Sequence, residues 1–186
     1  MADFKLFWPL LFENEGYYAN DPEDSGGETW RGISRNNFPA WNGWPIVDSY
    51  KTNGKFPSIK AANALLKQNK ALEEKVISFY KSSQWDVIHG DSIKNQSIAN
   101  FLADWGVNAG MSVPVKHAQQ ILDLVVDGKV GSRTLAAING ANGDDLFNKL
   151  QADRKQFYLD VVKAHPENKK FLSNWLSRNA SFAYTK

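Results

Sequence analysis

The chain of 186 residues has no cysteine, which excludes disulfides, thiol nucleophiles and Cys-ligated zinc together and leaves the fold to packing alone. It has three histidines, His89, His117 and His165, far apart and without an H-x-x-x-H pair or a carboxylate cluster at metal-ligand spacing. Neither a metal nor an organic cofactor is therefore expected. Its net charge is only +2, from 22 Lys+Arg against 20 Asp+Glu, too little for a protein that grips nucleic acid through phosphates. No apolar run is long enough to span a membrane, so no membrane insertion is expected. The run from Phe4 to Phe12 has the length of a signal core, but Glu13-Asn14-Glu15 stand where a small-residue cleavage site belongs. The expectation is synthesis in the cytoplasm without a recognisable signal peptide, with a separate exit route for any work outside. A phosphate loop fails too, since Gly27 to Gly32 is followed by Ile33-Ser34 in place of Lys-Ser/Thr. There is no G-x-S-x-G elbow of a serine hydrolase.

What the chain has in excess is aromatic: seven Trp, six Tyr and eleven Phe, enough to fill a core and to line a groove for a ligand with flat apolar faces. Asp3 caps an expected first helix whose Phe4, Phe7, Trp8, Leu11 and Phe12 share one face, with Pro9 bending or shortening it and Gly16 ending it. Residues 17–34 read as loop with a short hairpin, and residues 36–57 as irregular, with Pro39, Gly43, Pro45, Gly54 and Pro57 among Trp41 and Trp44. Helices are expected over about 58–69 with Ser58 as cap, 71–83 and 97–108. Others are expected from Ser112, after the turn Asp127-Gly128 with Ser132 as cap, from Asp144 to before Pro166, and around Phe171 to Leu176. The fold class is mainly α, with a small loop or hairpin region after the first helix. Length fits one compact monomeric body, divided at a seam near 90–96 into regions 1–95 and 96–186.

Carboxylates gather near the start: residues 1–35 carry seven acids and three bases. One step further along the apolar stripe of the first helix falls Glu15. A carboxyl on the core-facing side at a helix C-terminus is partly desolvated and near the negative end of the macrodipole, and both effects favour the protonated form that a general acid needs. Asp24 follows nine residues later in a loop softened by Gly26 and Gly27, and Thr29 closes the set. Two carboxyls held by a helix end and a turn are the minimal kit for glycoside hydrolysis. The plain alternatives are a solvated helix-terminal glutamate and a turn aspartate bonded to its own backbone. Trp30, Trp41 and Trp44, in loop-like sequence, are candidate sugar contacts, whereas Trp105 and Trp175 lie on apolar helix faces and read as core.

The string from Glu15-Gly16-Tyr17-Tyr18 through Asp21-Pro22-Glu23-Asp24-Ser25-Gly26-Gly27-Glu28-Thr29 to Gly32-Ile33 resembles the E-G-G-Y…D-P-x-D-x-G-G-x-T…G-I signature of glycoside hydrolase family 108. These are bacterial and prophage N-acetylmuramidases also described as secretion activators. The likeness continues through Phe101 to Gly110. Gln119-Gln120 with Asp127-Gly128-x-x-Gly131-x-x-Thr134-Leu135 is similar to the family's C-terminal peptidoglycan-binding segment, and Phe171 to Arg178 extends the match. The resemblance implies a lysozyme-like α-rich fold and cleavage of the β-1,4 bond after N-acetylmuramic acid, with Glu15 catalytic. A looser likeness to phage lysozymes implies Asp24 and Thr29 as its companions. Tyr18 and Asn108, inside the matching strings, join the three Trp as expected substrate contacts. Peptidoglycan glycan strands are the implied partner and the cell wall the place of action, reached by holin-like or other export. Tyr17 stands where the family has its second Gly; a left-handed backbone there would cost about 1–3 kcal/mol. Two other readings stay open, a lytic transglycosylase and a non-catalytic peptidoglycan-binding or secretion-associated protein. For Asp127-Gly128, a tight interhelical turn competes with cell-wall contact.

Overall fold

The computed structural model describes residues 1–14, 17–20 and 27–186, the last three of the first stretch by backbone alone. The chain is mainly α and divides into two compact units, Met1–Phe7 with Ser82–Lys186, and Trp8–Lys81. The seam expected near 90–96 falls inside the first of these.

Helix α1 (Phe4–Asn14) starts where Asp3 Oδ1 accepts from the Lys5 N–H at 2.8 Å, as the sequence predicts, and it runs through Pro9. Its early residues belong to the larger unit. There Phe7 stacks on Trp85 at 5.5 Å and Phe4 meets the same indole edge-on. Helix α5 (Gln96–Ala109) is the axis of that unit. Asn95 caps it, and every residue from Ser97 to Gly106 is buried, so it presents no solvent face until its last turn. A helix enclosed on all sides must be apolar all round or pair its polar groups. Around it lie α6 (Ser112–Ile121), α7 (Ser132–Gly140), α8 (Gly143–Ala164) and α9 (Lys169–Ser181).

The smaller unit opens with a three-stranded antiparallel meander, β1 (Ala19–Asn20), β2 (Glu28–Trp30) and β3 (Ile33–Ser34), which is the hairpin region expected after the first helix. Arg31 (φ 50°) and Gly32 (φ 78°) join β2 to β3, the pair of left-handed residues that a two-residue hairpin of matching twist demands. The segment expected to be irregular contains a short helix, α2 (Trp44–Ser49). Pro45 favours it, because a proline in the first turn has no amide to leave unpaired. Then follow α3 (Ile59–Leu66), capped by Ser58, and α4 (Lys70–Tyr80), capped by Asn69. A π-helical turn at Lys81–Trp85 leads out of the unit.

Candidate functional site

Glu15 and Asp24 lie outside the described residues. Thr29 is described, and it occupies the centre of the meander, paired with Ala19 on one side and Ser34 on the other. Its hydroxyl donates to the Gly27 carbonyl at 3.2 Å, fastening the residue that follows Gly26. Side chains alternate along a strand, so Glu28 and Trp30 point to the face opposite Thr29.

Glu28 anchors that opposite face. Its side chain is 10% exposed and meets Arg35 Nε at 2.6 Å and Lys51 Nζ at 2.7 Å, while the Tyr18 hydroxyl donates to it at 2.8 Å. Asp48 binds the same two cations, Arg35 at 2.6 Å and Lys51 at 2.7 Å. The result is an alternating chain of two acids and two bases tying β2 to α2. Burial and the Glu28 hydrogen bond push the Tyr18 phenol well above its ordinary value, so it stays a donor. Burial works to raise Asp48, yet the hydrogen bonds from Arg35 and Lys51 outweigh it and hold the carboxyl below the usual range.

Tyr18, Trp30, Trp41 and Trp44, expected as sugar contacts, are 7%, 2%, 8% and 2% exposed. A sugar stacks on an open ring face, and these rings are packed: Trp41 and Trp44 meet edge to face at 5.0 Å, and Arg35 lies 4.2 Å from the Trp44 centroid. The Trp44 N–H donates to the Phe38 carbonyl at 2.8 Å. For Trp44, loop-like sequence does not reveal this because the residue opens the short helix α2. Asn108 belongs to the larger unit, exposed near the end of α5, and its side-chain amide donates to the Asp104 carbonyl at 3.3 Å. Trp105 is fully buried, as its helix face implies.

Tyr17 remains open, at 41% exposure, with the Arg31 guanidinium 4.1 Å and Lys67 Nζ 3.4 Å from its ring centroid. The two cations, Arg31 foremost, lower its phenol below the ordinary value. Among the described residues the left-handed non-glycines include Arg31, which follows β2 beside the Tyr17 ring. The sequence signal for this cluster is the pair of basic residues Arg31 and Lys67, which no local motif connects to position 17.

In the larger unit, Gln119 is 1% exposed and governs the turn that follows α6. Its side-chain N–H groups donate to Asp127 Oδ1 (2.8 Å), the Lys129 carbonyl (3.0 Å) and Thr134 Oγ1 (3.2 Å), and its carbonyl accepts from the Gly128 N–H (2.9 Å). Gly128 has φ 74°, and a Cβ there would stand 3.1 Å from Lys116 Cε, so both backbone and space favour glycine. The Gln119 bond, with the Lys129 N–H, holds the Asp127 carboxyl below its usual range. The sequence points to Ser132 as the cap of α7, but Ser132 is the first helical residue; Gly131 is the cap and makes no side-chain bond. The turn is therefore fastened by Gln119 of α6 and Thr134 of α7 rather than by a Ser132 cap.

Among the described residues no group of three or more His, Asp or Glu side chains stands close enough to hold a metal ion, and no helix is long and apolar enough to cross a membrane.

Residues 9–110 match the family described as glycosyl hydrolase 108, and residues 113–180 match one described as a predicted peptidoglycan domain. Among solved structures, SagA of Brucella abortus superposes with a TM-score of 0.64 at 25% identity, covering 96% of this chain and 94% of that one. No curated protein sequence matches significantly. The α-rich, lysozyme-like fold expected from the sequence agrees with these findings.

Proposed function

The chain belongs to the glycosyl hydrolase 108 family and carries a peptidoglycan domain behind it, which makes it a peptidoglycan hydrolase, and from that premise we propose that it is an N-acetylmuramidase. It cleaves the β-1,4 bond between N-acetylmuramic acid and N-acetylglucosamine. Glu15 donates a proton to the glycosidic oxygen while the C1–O bond breaks through an oxocarbenium-like state. Asp24, with Thr29, orients the attacking water or stabilises the cation. The scheme uses no metal and no organic cofactor. The protein acts as a monomer on glycan strands of the cell wall, after leaving the cytoplasm by a holin-like or other route.

What carries this reading is the family match over 9–110, which takes in Glu15, Asp24 and Thr29 together. The local structure supports it. Helix α1 leads directly to Glu15, strands β1 and β2 bracket Asp24 in sequence, and the Glu28 network fixes the strand that presents Thr29.

The test is clearing of purified cell walls by the wild-type protein and by Glu15→Gln. A lost general acid costs about 100-fold or more, so the variant should be nearly inactive. Equal clearing by both would remove Glu15 from the mechanism. Asp24→Asn at full activity would remove the two-carboxylate scheme, and anhydro-sugar ends among the products would replace the muramidase by a lytic transglycosylase.

A further inference from the structure

The loop between α6 and α7 walls a cavity of about 310 Å³, the size of a small-ligand site and remote in sequence from the candidate catalytic residues. Leu124 and Val125 supply an apolar wall, with Val125 75% exposed. Lys129 and Arg133 also line it; both are exposed, and neither is in an ion pair among the described residues. Asp127 completes the lining. Its Oδ1 is occupied by Gln119 and the Lys129 N–H, which leaves Oδ2 for a ligand. Gln119 forms the base, and its four bonds, all internal, fix the shape before anything binds.

Two exposed cations against a single carboxylate, next to an apolar wall, select a carboxylate on a short chain with small apolar groups. Neutral sugar hydroxyls give a guanidinium or an ammonium no charge to answer. In peptidoglycan the carboxylates belong to the stem peptides, whose alanine methyls suit Leu124 and Val125 and whose diamino acid carries an ammonium suited to Asp127. The match of residues 113–180 to a peptidoglycan domain sets the polymer, and the chemistry of the cavity sets which part of it.

We propose that this cavity binds the carboxylate-bearing stem peptide of peptidoglycan, with Lys129 and Arg133 on its carboxylates and Leu124 and Val125 on its methyl groups. The inference rests on the reading of the chain as a peptidoglycan hydrolase, and it gives the C-terminal domain the peptide while the glycan goes to the catalytic residues.

The experiment is a titration of the isotope-labelled full chain, followed by amide NMR shifts, with two probes. One is the free tetrapeptide L-Ala–γ-D-Glu–diaminopimelate–D-Ala; the other is an N-acetylglucosamine oligomer, a glycan with no carboxylate. The tetrapeptide should shift the amides of residues 124–134, and the glycan should leave them in place. The Lys129→Ala/Arg133→Ala pair should bind the tetrapeptide about tenfold more weakly, while Lys155→Ala, an exposed cation on α8, stays within about twofold. Arg133→Gln alone serves if the double variant folds poorly. Glycan shifts at 124–134, unchanged affinity in the variants, or an equal loss in Lys155→Ala would each overturn the proposal. Glu15→Gln should bind the tetrapeptide as wild type does. If it also clears walls normally, Glu15 leaves the mechanism and the cavity stands; if it is inactive but no peptide binds, only the cavity fails.

Discussion

Asp104 sits mid-way along α5 with none of its side chain exposed, and it accepts from Arg154 at 2.8 Å and from Arg178 at 2.7 Å. Arg154 is equally buried; its Nε donates to the Tyr158 hydroxyl at 3.1 Å and its guanidinium lies 5.2 Å from the Phe101 centroid. One buried carboxylate thus accepts from two guanidiniums, one of them fully buried. Removing it takes the carboxylate from the fully buried Arg154 guanidinium, so Asp104→Ala should cost about 3–5 kcal/mol in urea unfolding of the full chain. A loss below about 1 kcal/mol would mean that water reaches the arginines. The apolar neighbours Leu102, Ala103 and Trp105 mark this stretch as core, but no local feature connects position 104 to positions 154 and 178. Glu28 teaches the same at the meander. The sequence singles it out only as one of the acids near the start, and only folding brings Tyr18, Arg35 and Lys51 to it.

At the scale of elements, helix positions are legible wherever a cap and a 3.6-residue stripe coincide. Ser58 and α3 show it, because both signals are local, whereas α5 and the long α8 are legible by their stripes and their caps, Asn95 and Asn142, come from the structure. The expectation fails at α7, where the sequence offers Ser132 as the cap. A cap needs an extended backbone, and Gly131 has that conformation instead. The two cases separate experimentally. Asn142 Oδ1 accepts from the Asp145 N–H at 3.1 Å, so Asn142→Ala should lower stability by about 1 kcal/mol. Ser132→Ala, with no cap bond to lose, should stay within about 0.5 kcal/mol. Thermal unfolding of the two variants measures the difference, and equal shifts would contradict the cap assignment. Helix α2 escapes a reading by pattern because its six residues are too few for periodicity to show.

Across the whole molecule, the family boundaries and the physical ones differ. The two matches meet between residues 110 and 113, whereas the compact units divide at Phe7/Trp8 and at Lys81/Ser82. Helix α5 belongs by sequence to the hydrolase match and by packing to the unit that holds α6 to α9, tied in by Asp104. Each unit also contributes to acid stability. Asp48 in one and Asp127 in the other titrate below their ordinary values when folded. A depressed folded pKa stabilises above the unfolded value of about 3.9 and loses that contribution as pH falls through the folded one. Melting temperature should therefore drop below about pH 4, and Asp48→Asn with Asp127→Asn should flatten that drop. An identical pH slope in wild type and double variant would refute the assignment.

The sequence by itself determined the α-rich class, most helix positions, the hairpin after α1 and the family, since each rests on residues near one another along the chain. Tertiary structure decided which aromatics are core, which acids carry partners, and where the chain divides into units. Burial and ion pairing depend on groups tens of residues apart, whose meeting is a property of the packed molecule and leaves no local pattern.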